Sequence, residues 1–170
     1  MNISSRGTVW DACTALFSPT LIRLISEIDD NGPIPARRLT GTFADLSVRQ
    51  LRQTADLACD FGLVRVRPGT GLGLTNSGLE LADVYDAMAR WARRHAYPEP
   101  VCHFTSRIQS TLDLLTEASV LAAEGGPCAP AADPALRAEA LADLARPRDL
   151  LDQWLRSNQT AQRDAAEPAP

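Results

Sequence analysis

Apolar residues recur at helical spacing in several stretches of the chain. In "SPTLIRLISEIDDNGP", Leu21, Ile22, Ile25 and Ile28 share one face, so the pattern predicts an amphipathic helix. Ser18 is placed to cap it, Pro19 suits its first turn, and Asn31-Gly32-Pro33 stops it. Upstream, "GTVWDACTALF" predicts a first short helix; downstream, "PARRLTGTF" predicts another, with Leu39 and Phe43 inward, followed by a tight turn at "ADL". Ser47 then opens a helix over 47–61. With Leu51 inward and about 100° per residue, Val48, Thr54, Ala55 and Ala58 fall on the core side. Arg49, Gln53, Asp56 and Asp60 fall on the solvent side, and Gly62 ends the helix.

The period changes at "LVRVRP". Val64 and Val66 alternate with Arg65 and Arg67, which predicts a strand with the valines on one face and the arginines on the other. "GTG" is a turn and "LGLT" the return strand, giving a hairpin over 63–75. "NSGLELADVYDAMARWARRH" returns to helical spacing, with Leu81, Val84, Tyr85, Met88 and Trp91 as its stripe. "YPEP" breaks the chain. A further helix follows, with Phe104, Ile108, Leu112 and Leu115 on one face. After the "GGPCAPAADP" linker come two shorter helices, around Ala135–Leu144 and Asp149–Ser157. The fold expected is mainly α with a small β-hairpin wing, a winged helix-turn-helix with additional C-terminal helices. Residues 1–98 would form the winged-helix domain, 99–158 a C-terminal helical extension, and 159–170 a disordered tail.

Charge sharpens this picture. The net charge is -4, yet residues 1–100 carry 11 Arg against 11 acids, and all of the imbalance lies beyond them. Within 36–67 six Arg face three Asp, a local +3. A neutral domain with one basic segment speaks against indiscriminate nucleic-acid binding and is compatible with a specific site. No apolar run approaches a membrane span, and "MNISSRGTVWDAC" lacks the layout of a secretory signal, so a cytoplasmic location is expected.

The same segments resemble the HxlR-type winged-helix transcriptional regulators, with MarR-type regulators as more distant relatives. Four stretches carry the resemblance: "GPIPARRLTGTFADLS", "LSVRQLRQTADLACDFGLVRV", "LGLTNSGLEL" and "MARWARRH", in that order between about Ser18 and His95. They match a G-P, short helix, turn, Ser pattern; a recognition helix ending in G-L-V; an L-T-x-x-G junction; and a closing helix with Trp, basic residues and His. Two features depart from the family: "FSPTL" replaces its Gly-Lys-Trp segment, and the wing is short. The last 70 residues have no counterpart in the minimal pattern. The resemblance implies a homodimer built from terminal helices, and it leaves room for a small-molecule effector.

A recognition helix enters the major groove with its first turns nearest the bases. Arg49 and Gln53 lie one turn apart on the exposed face, flanked by Gln50 and Arg52. Arg pairs bidentately with guanine and Gln with adenine, each good pair giving roughly 1–3 kcal/mol of discrimination. Ser47 can donate to phosphate, and Arg37, Arg38, Arg65 and Arg67 are candidates for backbone or minor-groove contacts. Asp56 and Asp60 would repel phosphate, so the far end of the helix points out of the groove. One such helix reads a few base pairs, which favours a dimer on two half-sites; the stripes at 79–95 and 101–125 are the candidate interface.

Other chemistry finds little support. His95, Cys102, His103 and Cys128 match no zinc spacing, so no metal and no cofactor is expected. Cys13 raises redox sensing, but no basic neighbour within three residues would lower its pKa. The sequence contains no P-loop, G-x-S-x-G or H-E-x-x-H, so an enzyme is not expected. The alternatives are a winged-helix adaptor that binds protein and a thiol-based regulator.

Overall fold

The computed structural model describes residues 15–124 and 134–166, with side chains over 15–116 and 138–158. It is mostly helical with one two-stranded antiparallel hairpin. Most of the expected "GTVWDACTALF" helix, Cys13, Cys128 and the linker lie outside the described residues. The chain divides into two compact units, Met1–Ala82 and Asp83–Pro170.

In the first unit, α1 spans Pro19–Asn31 and buries Leu21, Ile22, Leu24, Ile25 and Ile28. Its stop is the expected one: the Gly32 N–H donates to the Ile28 carbonyl. Its start is not, because the Ser18 side chain makes no capping bond. Pro19 at the first position carries no N–H and already suits the helix there, so the turn forms without that cap. Helix α2 spans Ala36–Thr42, leaving Phe43 buried and Leu39 half-buried. Helix α3 spans Val48–Asp60 and packs on α1 and α2. It ends on paired bonds from Gly62 N–H to the Cys59 carbonyl and from Leu63 N–H to the Ala58 carbonyl, both 2.8 Å.

The hairpin joins β1, Val64–Arg67, to β2, Gly71–Leu74. Its register pairs Val64 with Leu74, Arg65 with Gly73, Val66 with Leu72, and Arg67 with Gly71. Ile34 adds a bridge along the other edge of β2, exchanging two 2.9 Å backbone bonds with Leu72. That close approach dictates glycine at 71. Its φ is +100°, and a Cβ there would clash with the Ile34 carbonyl oxygen and lie 2.6 Å from Pro35 Cα.

Helix α4 spans Asn76–Arg94 and begins at a knot around Thr75. The Thr75 hydroxyl lies 2.6 Å from the Gly62 carbonyl oxygen and 3.1 Å from that of Leu63, and accepts from Gly78 N–H at 3.1 Å. Gly78 lets the first turn of α4 sit against the Leu63 carbonyl, where any Cβ would clash. The "LTNSG" sequence is therefore a junction between the end of α3 and the start of α4.

In the second unit, α4 continues and is followed by α5, Phe104–Glu124; α6, Pro134–Asp143; and α7, Ala145–Ala166. The Trp91 indole N–H donates to the Ala140 carbonyl at 2.9 Å, while Asp143 meets Arg94 at 3.1 Å and His95 at 3.2 Å. These contacts tie the end of α4 to α6. Helix α7 runs past Ser157, where the sequence reading stops it, into residues expected to be a disordered tail. Asn158–Ala166 contains no Gly or Pro, and the first breaker beyond it is Pro168. No helix among the described residues is long and apolar enough to cross a membrane.

Candidate nucleic-acid interface

The basic segment 36–67 is built on α2, α3 and β1. Ser47 and Gln50 form a capping box at the front of α3. Gln50 N–H donates to Ser47 Oγ at 3.2 Å, and Gln50 Oε1 receives Ser47 N–H at 3.0 Å and the Ser47 hydroxyl at 2.7 Å. Ser47 and Gln50 were both expected to face DNA. The box occupies the Gln50 amide oxygen, so a bidentate adenine pair through Gln50 is not free to form. Ser47→Ala should lower folding stability by about 1 kcal/mol, measured by chemical denaturation.

Beyond the cap the exposed stripe is as expected: Arg49, Arg52, Gln53, Asp56 and Asp60 all face solvent, while Leu51, Thr54 and Ala58 are buried. Val48 departs from it. It was placed on the core side and is 59 % exposed. A wheel gives the direction of a side chain, not how far the neighbouring elements reach along the axis, and at the first turn of α3 the described neighbours leave that direction largely open.

The turn before α3 is anchored by Arg23 of α1. Its guanidinium makes a two-pronged pair with Asp45, at 2.6 and 2.9 Å, and lies 5.6 Å from the centre of the Phe43 ring. The hydrogen bonds from Arg23 hold the Asp45 carboxyl below its ordinary value. A depressed carboxyl pKa contributes stability that is fully present above the ordinary value of 3.8 and lost as pH falls from there through the lowered value. Asp45→Asn should therefore reduce the steepness of acid unfolding on that limb, by a modest amount because the pair is exposed, as read from denaturation curves at neutral and acid pH.

Arg37, Arg38, Arg49, Arg52 and Arg65 are exposed, and none of them forms an ion pair among the described residues. Arg67 is exposed but folds back along the hairpin, its Nη2 donating to the Leu74 carbonyl at 3.2 Å. The two arginines stand opposite Gly73 and Gly71, so β2 sets no side chain against them; the Pro33 ring is what approaches that face, 3.4 Å from where a Cβ of Gly73 would lie. On the other face Val64 is buried, whereas Val66, expected beside it, is 74 % exposed. Val66 lies level with the buried Leu72 and Ile34 but at the outer end of that row, where the core does not reach.

The remaining candidates are less organised. The Cys59 thiol is pushed up by burial, with Asp56 and Asp60 adding to the effect, which opposes a reactive thiolate. Among the described residues no group of three or more His, Cys, Asp or Glu is placed to hold a metal ion. The Leu81–Trp91 stripe, expected to serve an interface, is buried within the chain itself, as are Ile108 and Leu115; Phe104 and Leu112 are half-buried. In the second unit a groove of about 310 Å³ is flanked by Asp83, Asp86 and Asp143 and by Arg90, Arg94 and Arg146, a balance that favours no charge class of effector. No protein-family model matches the chain, and neither a curated protein nor a solved structure matches it.

Proposed function

We propose that the chain is a sequence-specific transcriptional regulator with a winged helix-turn-helix domain. In this reading α3 enters the major groove of double-stranded DNA, and the hairpin lies on the backbone or in the minor groove. The observation that carries it is the contrast among the arginines of the first unit. Arg23 is held by Asp45, whereas Arg37, Arg38, Arg49, Arg52 and Arg65 are exposed without an ion pair among the described residues. They cluster in the segment from α2 to β1, in a half of the chain that is neutral overall. Unpaired cations concentrated on one helix front, the helix before it and one hairpin are suited to a polyanion.

The test is selection from random duplexes followed by affinity measurements over a range of salt. A specific duplex should emerge, and log affinity should fall with log salt as phosphate contacts release counterions. No selected duplex, or a flat salt plot, would remove this reading in favour of a protein-binding adaptor.

The reading includes a homodimer on two half-sites, because one helix of this length reads only a few base pairs. The dimer surface is not the Leu81–Trp91 stripe, which is already buried. Light scattering at micromolar concentration should report twice the 18.4 kDa chain mass, and a single-chain mass alone would contradict the dimer.

A further inference from the structure

Val48 is the first residue of α3 and presents most of its side chain to solvent. A lone exposed valine is ordinary on a protein surface. Its position is what makes this one informative. The capping box fixes the residues on either side of Val48 and Arg49, because Ser47 and Gln50 hold each other through three hydrogen bonds. A β-branched side chain in a helix has one strongly preferred rotamer. Val48 is therefore a rigid apolar knob beside Arg49, at the end of α3 that lies nearest base edges when such a helix docks. The major groove offers one apolar marker, the C5-methyl group of thymine.

We propose that Val48 reads a thymine methyl in each half-site, beside the base contacted by Arg49. The inference rests on the DNA reading of α3 given above. It also gives the exposed valine a function that the core-side expectation could not. Val66, the other strongly exposed valine, lies on β1 between two arginines and serves as the internal comparison.

The experiment uses the full chain and the duplex obtained by selection. Each thymine is replaced in turn by deoxyuridine, which removes the methyl and keeps the hydrogen-bonding edge. At one position per half-site the replacement should weaken wild-type binding about fourfold, the worth of one buried methyl-sized group. That methyl dependence should vanish in Val48→Ala and in Val48→Ser, and persist in Val66→Ala. Because Val48 is exposed, both variants should melt like the wild type, and two variants guard against one that folds poorly. Indifference of the wild type to deoxyuridine at every position overturns the role of Val48 and leaves the DNA reading standing. So does a methyl dependence that survives Val48→Ala or disappears in Val66→Ala instead. If selection yields no duplex, the DNA reading fails and this inference falls with it.

Discussion

Gly71→Ala is expected to destabilise the chain by about 2–5 kcal/mol, more than any surface change discussed above. Two effects act together. The φ of +100° is one that side-chain-bearing residues adopt only under strain, and the added Cβ would meet the Ile34 carbonyl oxygen, a backbone atom that cannot rotate away. The paired 2.9 Å bonds between Ile34 and Leu72 must then lengthen or break. The hairpin loses its bridge to Ile34, and with it the fixed placement of Arg65. Denaturant unfolding measures the first effect, and hydrogen exchange at the Ile34 and Leu72 amides measures the second. A variant with wild-type stability and full protection at both amides would show that the approach of Ile34 to β2 is not as tight as described. Gly69→Ala is the matched control: it also has positive φ, at 81°, but open space around it, so it should incur only the backbone strain.

The second large effect concerns DNA. On the regulator reading, Arg49→Ala should lower affinity for the selected duplex and barely change non-specific binding. It should relax preference at one position per half-site by roughly 1–3 kcal/mol. Arg65→Ala should instead weaken all sequences about equally and make the salt slope shallower by about one phosphate contact. Arg65 is the cleaner backbone probe, because Arg67 also donates to the Leu74 carbonyl and its loss would loosen the hairpin as well. Arg49 and Arg65 are both exposed, so thermal melting should be unchanged in both variants. If the two variants prove indistinguishable on matched and mismatched duplexes, α3 is not the base reader.

The elements themselves were legible because each carries local signals. The isoleucine stripe of α1, Ser47 at the start of α3, the glycine after α3 and the two-residue period of "VRVR" each act within a turn or a strand pair. What the sequence hid depends on how far neighbours extend. Val48 and Val66 lie in the directions that periodicity assigns to the core, yet the core stops short of both. Ser18 has the right type and place for a cap, but Pro19 made one unnecessary. The double use of Gln50 is readable only in part: a Gln three residues after a Ser is the capping-box pattern, but an exposed amide suits a DNA contact equally well. The bridge from Ile34 to the hairpin gives no signal at all, because Ile34 is a single residue between two prolines with no period to detect.

The capping box has a practical consequence for engineering. The two residues that start α3, Ser47 and Gln50, use their side chains on each other, while the exposed Val48, Arg49, Arg52 and Gln53 make no side-chain hydrogen bond or ion pair among the described residues. On the regulator reading, scaffold and address are thus interleaved on one helix without sharing a residue. On that reading, a library randomised at 48, 49, 52 and 53, with 47 and 50 held, should keep its helix starts and vary only in which duplex it selects. A library that also randomises 50 should lose folded members in proportion to how often the amide is lost.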